Sequence, residues 1–177
     1  MRNKIVDDCK FKIGFTIIEL IVVIAIISVL ASIVLVNVNG YIAKARDARR
    51  KVDLSSINKA FIIYYVKMGN YMVTGSGCGY GGNGNGWFNY SGGSYPISMA
   101  QCLVNAGAVS TEIIDPTGGR TSTPTARYTY MKYSCGNPIK TYIYAKLATI
   151  PQSSTATDGT CCSTCDSSYG MNYYIQF

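Results

Sequence analysis

The amino-acid sequence predicts an α+β fold in which a long N-terminal α-helix, transmembrane in its first half, packs on a small antiparallel β-sheet head. Three observations predict this fold. Residues 15–38 are predominantly apolar and carry a single charge, residues 39–69 continue in an amphipathic helical pattern, and residues near the C-terminus alternate with the period of a strand. Residues 70–177 then form one small globular head.

The first elements are a polar leader, residues 1–14, and the apolar run from Phe15 to Val38. At about 1.5 Å per residue, a helix of these 24 residues crosses a hydrocarbon core of about 30 Å. A cleaved secretory signal is the alternative, with Ala43-Lys44-Ala45 as its small-x-small site. Its apolar part is usually only about 7–15 residues, and a charge such as Glu19 inside it would be unusual. A carboxylate in lipid costs about 2.5–3.5 kcal/mol, so Glu19 is a functional candidate.

The amphipathic segment continues the same helix, which we predict over residues 16–68. Asn39-Gly40 is expected to weaken the helix locally, and Gly69-Asn70 is its predicted stop. Apolar residues recur every three or four positions and predict one buried stripe: Leu54, Ile57, Phe61, Tyr64 or Tyr65, and Met68.

The head begins with an irregular loop, because residues 75–94 contain nine glycines. Cys78 is expected to pin this loop. A short helix is predicted at residues 98–106, and Asp115-Pro116 begins a turn-rich connection.

Three segments of the head predict an antiparallel sheet of three or more strands. Residues 127–133 and 139–147 form a hairpin joined through residues 135–138, and residues 171–177 supply another strand. Ile143 and its alternate neighbours define one apolar face in the hairpin. We expect only this face to be buried, against the helical stripe.

The cysteines indicate an oxidising compartment, because the chain has seven of them and no histidine. Cys9 precedes the apolar run, and six follow it: Cys78, Cys102, Cys135, Cys161, Cys162 and Cys165. Six cysteines allow 15 pairings. We expect Cys78 to pair with Cys102, and Cys135 with one of residues 161–165. Cys162 and Cys165 have redox-motif spacing, but their Ser/Thr-rich loop favours a structural disulfide.

The net charge of +7 is concentrated in residues 44–67, which hold seven basic residues and two acidic ones. The basic run could attract anionic lipid or DNA, but a solvated flank beside neighbouring subunits is the favoured interpretation. It consists of Lys44, Arg46, Arg49, Arg50 and Lys51. The chain has no histidine, few acids and no nucleophile with a recognisable base, so we predict neither an enzyme nor a cofactor.

The segment Lys12-Ile13-Gly14-Phe15-Thr16, followed by Glu19 and the apolar run, resembles the prepilin motif of type IV pilins and type II secretion pseudopilins. The resemblance is close over residues 10–38, extends to about residue 71 and fades in the head. It implies a pilin-like fold, cleavage after Gly14 by a membrane-embedded prepilin peptidase, and methylation of the new amine on Phe15. Removal of residues 1–14 also removes Cys9 and leaves an even number of cysteines.

The resemblance also implies that Thr16 and Glu19 belong to the assembly segment. The Glu19 carboxylate would meet the Phe15 amine of a neighbouring subunit, in a helix bundle where the low dielectric strengthens the attraction and desolvation offsets much of it. Two other accounts stay open. Glu19 could lie near the membrane interface and reach water, or it could pair with Lys12 in the uncut chain.

The implied function is that of a structural subunit of a pilus-like filament. It would begin as a single-pass precursor in the bacterial inner membrane and end in an extracellular pilus or a periplasmic pseudopilus. Its implied partners are other copies of itself, the prepilin peptidase, an assembly platform and minor pilins, with DNA a weaker alternative. Calcium binding by Asp158 and Asp166 is also implied, although their spacing is irregular. The alternatives are a secretion or DNA-uptake pseudopilin, and an anchored binding or redox domain that never polymerises.

Overall fold

The computed structural model describes residues 14–118, 130–136, 138–151, 161–162, 165 and 168–177. Helix α1 spans Ile17–Met68 and helix α2 spans Met99–Asn105, with a 3₁₀ turn at Tyr80–Gly82. The strands are β1 (Gly86–Trp87), β2 (Met131–Cys135), β3 (Lys140–Ala145) and β4 (Tyr173–Gln176). They form one antiparallel sheet in the order β1-β2-β3-β4. The predicted α+β class is therefore confirmed.

The chain divides into two compact units, Met1–Tyr41 and Ile42–Phe177. In the first unit, α1 presents an 18-residue window, Ile17–Val34, with a mean hydropathy of 3.0 and no buried residue. This helix is long and apolar enough to cross a membrane. The residues at Asn39-Gly40 are helical, so the weakening expected there does not interrupt α1.

Helix α1 ends where the sequence predicts. Gly69 adopts a φ of 77°, in the left-handed region that glycine enters without a Cβ penalty. Its backbone N–H donates to the Tyr65 carbonyl at 2.8 Å. The Asn70 side chain then accepts the Met72 N–H at 3.0 Å, which turns the chain away from the helix axis.

The core of the second unit lies between α1 and the sheet. Leu54, Ile57, Phe61 and Tyr64 are buried as predicted, together with Ala60. From the sheet, Ile143 and Ala145 pack into the same cluster, and the C-terminal residues Tyr173, Ile175 and Phe177 contact it. The expectation for Met68 is wrong, because this side chain lies on the last residue of the helix and is 55% exposed.

The other face of the sheet corrects the expectation of a single buried face. Tyr142 and Tyr144 are also buried, in a second cluster with Trp87, Cys162 and Cys165. The glycine-rich loop and the cysteine segment supply these covering residues. Because both faces are covered, β3 is buried from Thr141 to Ala145.

Two predicted local elements are present. Helix α2 is capped by Ser98, whose hydroxyl oxygen accepts the Gln101 N–H at 3.1 Å. At the other end of α2, Lys67 donates to the Ala106 and Gly107 carbonyls at 2.9 Å each. The β2–β3 hairpin runs in register from Met131 opposite Tyr144 to Cys135 opposite Lys140. Residues 127–129 of the predicted strand lie outside the described residues.

Candidate functional site: the start of helix α1

The candidate processing site lies immediately before α1. Gly14, Phe15 and Thr16 are not helical, and all three are exposed. The Phe15 side chain is 87% exposed. Proteases act preferentially on exposed segments outside regular structure. The Gly14–Phe15 peptide bond therefore lies in a segment that a peptidase can bind.

Thr16 and Glu19 form three reciprocal hydrogen bonds at the start of α1. The Glu19 N–H donates to Thr16 Oγ1 at 3.3 Å. In return, Glu19 Oε2 accepts the Thr16 N–H at 2.9 Å and the Thr16 hydroxyl at 2.7 Å. This is a capping box, with Thr16 at the N-cap and Glu19 three residues later.

The capping box adds a local role for Glu19 to the three accounts that the sequence suggests. It satisfies backbone N–H groups that the first turn of a helix leaves without partners. It also gives the carboxylate two donors while no neighbouring subunit is present. Lys12, the partner in one of the three accounts, lies outside the described residues. The Thr-x-x-Glu spacing could have revealed the capping box from the sequence, but we did not predict it.

Over residues 17–34, the first unit buries none of its side chains. The apolar residues of α1 between Ile17 and Val34 are exposed on every side of the helix. An α-helix that is apolar all round requires lipid or other helices around it. The segment can therefore be stabilised by a bilayer and, equally, by neighbouring copies of the same helix.

The six head cysteines form three disulfides: Cys78–Cys102, Cys135–Cys161 and Cys162–Cys165. The first is the pair that the sequence favours, and the second agrees with the wider expectation for Cys135. Cys162 is 4% exposed and Cys165 is fully buried. This burial disfavours a redox role, because an exchanging thiol must reach one of the two sulfurs.

The basic run is only partly solvated, so the interpretation as a solvated flank is wrong for Arg50, which is 1% exposed. Its guanidinium donates to Asp47 and to Asp115, at 2.8 Å in each case. Asp47 also accepts the backbone N–H groups of Ala148 at 2.9 Å and Thr149 at 2.7 Å. Burial opposes the ionisation of Asp47, but these hydrogen bonds outweigh it and hold the Asp47 pKa below its usual value.

A second buried cation, Lys132, was not singled out by the sequence. Its ammonium donates to the Gly84 carbonyl at 2.7 Å, the Met72 carbonyl at 3.3 Å and the Ser134 hydroxyl at 3.2 Å. Burial lowers the pKa of Lys132 to about 7. Lys132 therefore holds the glycine-rich loop against β2.

The calcium hypothesis stays a prediction, because Asp158 and Asp166 lie outside the described residues. Within the part of the chain that the structure describes, there is no cluster of three or more His, Cys, Asp or Glu residues that could hold a metal ion.

Comparison with known proteins identifies the N-terminal segment. The family model of the prokaryotic N-terminal methylation motif matches residues 10–35. The match includes Gly14, Phe15 and the capping box, and it does not extend into the head. Searches of curated proteins and of solved structures find no match to the chain.

Proposed function

We propose that this chain, which carries the type IV pilin and pseudopilin signature at residues 10–35, is a structural subunit of a filament. The precursor is inserted in the membrane, is cut after Gly14 and polymerises through α1. One observation carries the proposal. The methylation motif lies on the start of a helix whose first 18 residues are predominantly apolar and include no buried residue.

The first step of this function is processing. A prepilin peptidase hydrolyses the Gly14–Phe15 peptide bond, and the new amine on Phe15 is methylated. The exposure of Phe15 and the non-helical backbone of residues 14–16 support access to this bond. Cleavage places a positive charge one residue before the capping box.

Glu19 then aligns neighbouring subunits. Two unit charges 4 Å apart attract by about 1 kcal/mol in water and by about 4 kcal/mol at an effective dielectric constant of 20. Desolvation consumes part of that gain. Glu19 Oε2 holds the capping bonds, and Oε1 has no hydrogen bond to any other described residue. Oε1 can therefore accept a hydrogen bond from the Phe15 ammonium of an adjacent copy while Oε2 keeps the capping bonds.

The apolar part of α1 supplies the surface through which copies pack, and van der Waals contacts between helices stabilise that packing. Lipid covers it in the precursor, and helices of neighbouring copies cover it in the filament. The further partners are an assembly platform and minor pilins. The filament is either an extracellular pilus or a periplasmic pseudopilus.

Two variants of Glu19 distinguish its proposed ion pair with Phe15 from its role in capping α1. Glu19→Gln keeps a side-chain oxygen that can accept the hydrogen bonds from Thr16 but has no charge. Glu19→Ala loses both the oxygen and the charge. We expect both variants to be cleaved after Gly14 and neither to form filaments, as measured by the subunit recovered in sheared, sedimented material. The matched control is Glu112→Gln, the same change at the only other glutamate of the chain, which should assemble normally.

The outcomes separate the hypotheses. If only Glu19→Gln forms filaments, Glu19 acts through the helix cap and the ion pair is not required. If both variants form filaments, Glu19 has no role in assembly. Electron microscopy of the same material distinguishes long pili from short pseudopili. If the wild-type chain gives neither, the anchored-domain alternative replaces the filament.

A further inference from the structure

The disulfides of the head follow the order of the chain. Each cysteine after Cys9 is bonded to its nearest unpaired successor, at sequence separations of 24, 26 and 3 residues. Six cysteines can pair in 15 ways, and only one of these joins the first to the second, the third to the fourth and the fifth to the sixth. The observed pairing is that one.

We infer that the head is the substrate of a thiol oxidase that makes its three disulfides in chain order during export, without a later isomerisation step. The inference rests on the proposed function, since that function takes the head across the membrane after the apolar segment has been inserted. A chain exported in this direction presents Cys78 first and Cys165 last.

The chemistry of each bond is thiol–disulfide exchange. The thiolate of the earlier cysteine attacks the disulfide of the oxidase, which forms a mixed disulfide and releases one oxidase thiolate. The thiolate of the next cysteine then attacks the sulfur of the earlier one. A Sγ–Sγ bond forms, the bond to the oxidase breaks, and the enzyme leaves as a dithiol. Two thiols of the head lose two protons and two electrons, and the oxidase disulfide accepts the electrons.

Spacing along the chain favours the first bond. Cys102 and Cys135 are 33 residues apart. At a synthesis rate of about 5–20 residues per second, the Cys78 and Cys102 pair is alone for about 2–7 s. A loop of about ten residues closes in about 10–100 ns, so Cys78 and Cys102 meet many times before Cys135 appears.

Arrival time does not separate Cys161 from Cys162, because these cysteines are adjacent. Cys161 contacts the same cluster as Cys162, and the two differ in how deeply they are buried. Cys162 and Cys165 are buried with Trp87 in the cluster on the outer face of the sheet. Cys161 is only partly buried and is bonded to Cys135 at the end of β2. Packing of the head therefore supports the pairing that chain order produces.

The test is disulfide mapping during export of the full chain in living cells. Newly made chains are labelled, their thiols are trapped by acid and alkylation, and non-reduced peptides are identified by mass spectrometry over time. We expect Cys78–Cys102 to appear first and non-native bonds to be absent throughout. A strain without its thiol oxidase should lose the bonds, and a strain without its disulfide isomerase should match the parent.

Two single variants provide a matched pair. In Cys161→Ser, Cys135 should bond to the next cysteine, Cys162, and leave Cys165 reduced. In Cys162→Ser, Cys135–Cys161 should form as in the wild type, again with Cys165 reduced. Three results would overturn this inference and leave the proposed function intact. They are a transient Cys102–Cys135 bond, a loss of native bonds in the strain without the isomerase, and a reduced Cys135 in Cys161→Ser. Fully reduced cysteines in the parent strain would overturn the proposed export of the head as well.

Discussion

At the scale of the residue, Glu19 combines two requirements of the α1 N-terminus. A carboxylate three residues after the N-cap satisfies the first turn of the helix through Thr16. The same carboxylate is costly in lipid. The capping bonds reduce that cost before assembly, and the proposed pairing with the Phe15 amine of a neighbour reduces it afterwards. A glutamate at this position is therefore compatible with both the membrane and the filament.

The buried amine of Lys132 should make the folding stability of the chain depend on pH. Its folded pKa of about 7 lies below the unfolded value of about 10.4. Between these values the unfolded chain binds a proton that the folded chain does not, so this group makes stability rise with pH from about 7 to about 10. We expect the melting temperature of the full chain in detergent to rise across this window.

The variants that check this prediction are Lys132→Met and Lys140→Met. The first removes the buried amine, so the slope between pH 7 and 10 should flatten whatever happens to the melting temperature itself. The second removes an exposed lysine of β3 and should keep the slope. A wild-type melting temperature that is constant over this window would contradict the assignment to Lys132.

At the scale of the element, α1 carries charged residues on the face that it buries. Asp47, Arg50 and Asp53 are 3%, 1% and 2% exposed. Arg50 joins α1 to the turn at Asp115, and Asp47 joins α1 to the segment after β3. The Tyr130 hydroxyl donates to Asp53 at 2.7 Å. These contacts fix three connecting segments on the helix.

Removal of Arg50 should be strongly destabilising. Arg50→Met leaves two buried carboxylates without their cation, and breaking a buried pair in this way costs about 3–5 kcal/mol. Arg46→Met, at an exposed position four residues earlier on α1, should change the free energy of unfolding by less than about 0.5 kcal/mol. Denaturant unfolding of the full chain in detergent measures both, and equal losses would contradict the role of Arg50.

The elements that sequence patterns predict well are those whose burial is periodic. The stripe from Leu54 to Tyr64, the stop at Gly69 and the short helix within residues 98–106 each follow from local sequence patterns. The sequence does not predict the covered outer face of β3, because Trp87 lies in a strand of only two residues and the cysteine segment has no regular apolar period. At the candidate site, the residues were named from the motif, but the bonds between Thr16 and Glu19 were not predicted. Arg50 was assigned to solvent because its partner Asp115 is 65 residues away.

At the scale of the whole molecule, the two compact units differ in how they are stabilised. In the unit Met1–Tyr41, residues 17–34 form an apolar helical segment with no buried residue, so the stability of this segment depends on what surrounds it. The unit Ile42–Phe177 has its own core and three disulfides. This division of roles matches a subunit that assembles through one unit and folds independently through the other.

The disulfides should contribute unequally to the stability of the second unit. In the chain-entropy account, loss of Cys78–Cys102, which closes a 24-residue separation, costs about 3.5 kcal/mol. Loss of Cys162–Cys165, with a separation of 3 residues, costs about 1.6 kcal/mol on the same basis. Paired Cys→Ser variants compared by denaturant unfolding measure the difference, and a larger loss for Cys162–Cys165 would contradict this order.

The central claim is that this chain is a precursor whose functional N-terminus is Phe15. The most direct measurement is mass spectrometry of the mature protein from cells that contain the processing enzyme. The account predicts an N-terminal peptide that begins at Phe15 with a methylated amine. A mature chain that still begins at Met1, or one cut after Ala45 within α1, would contradict it.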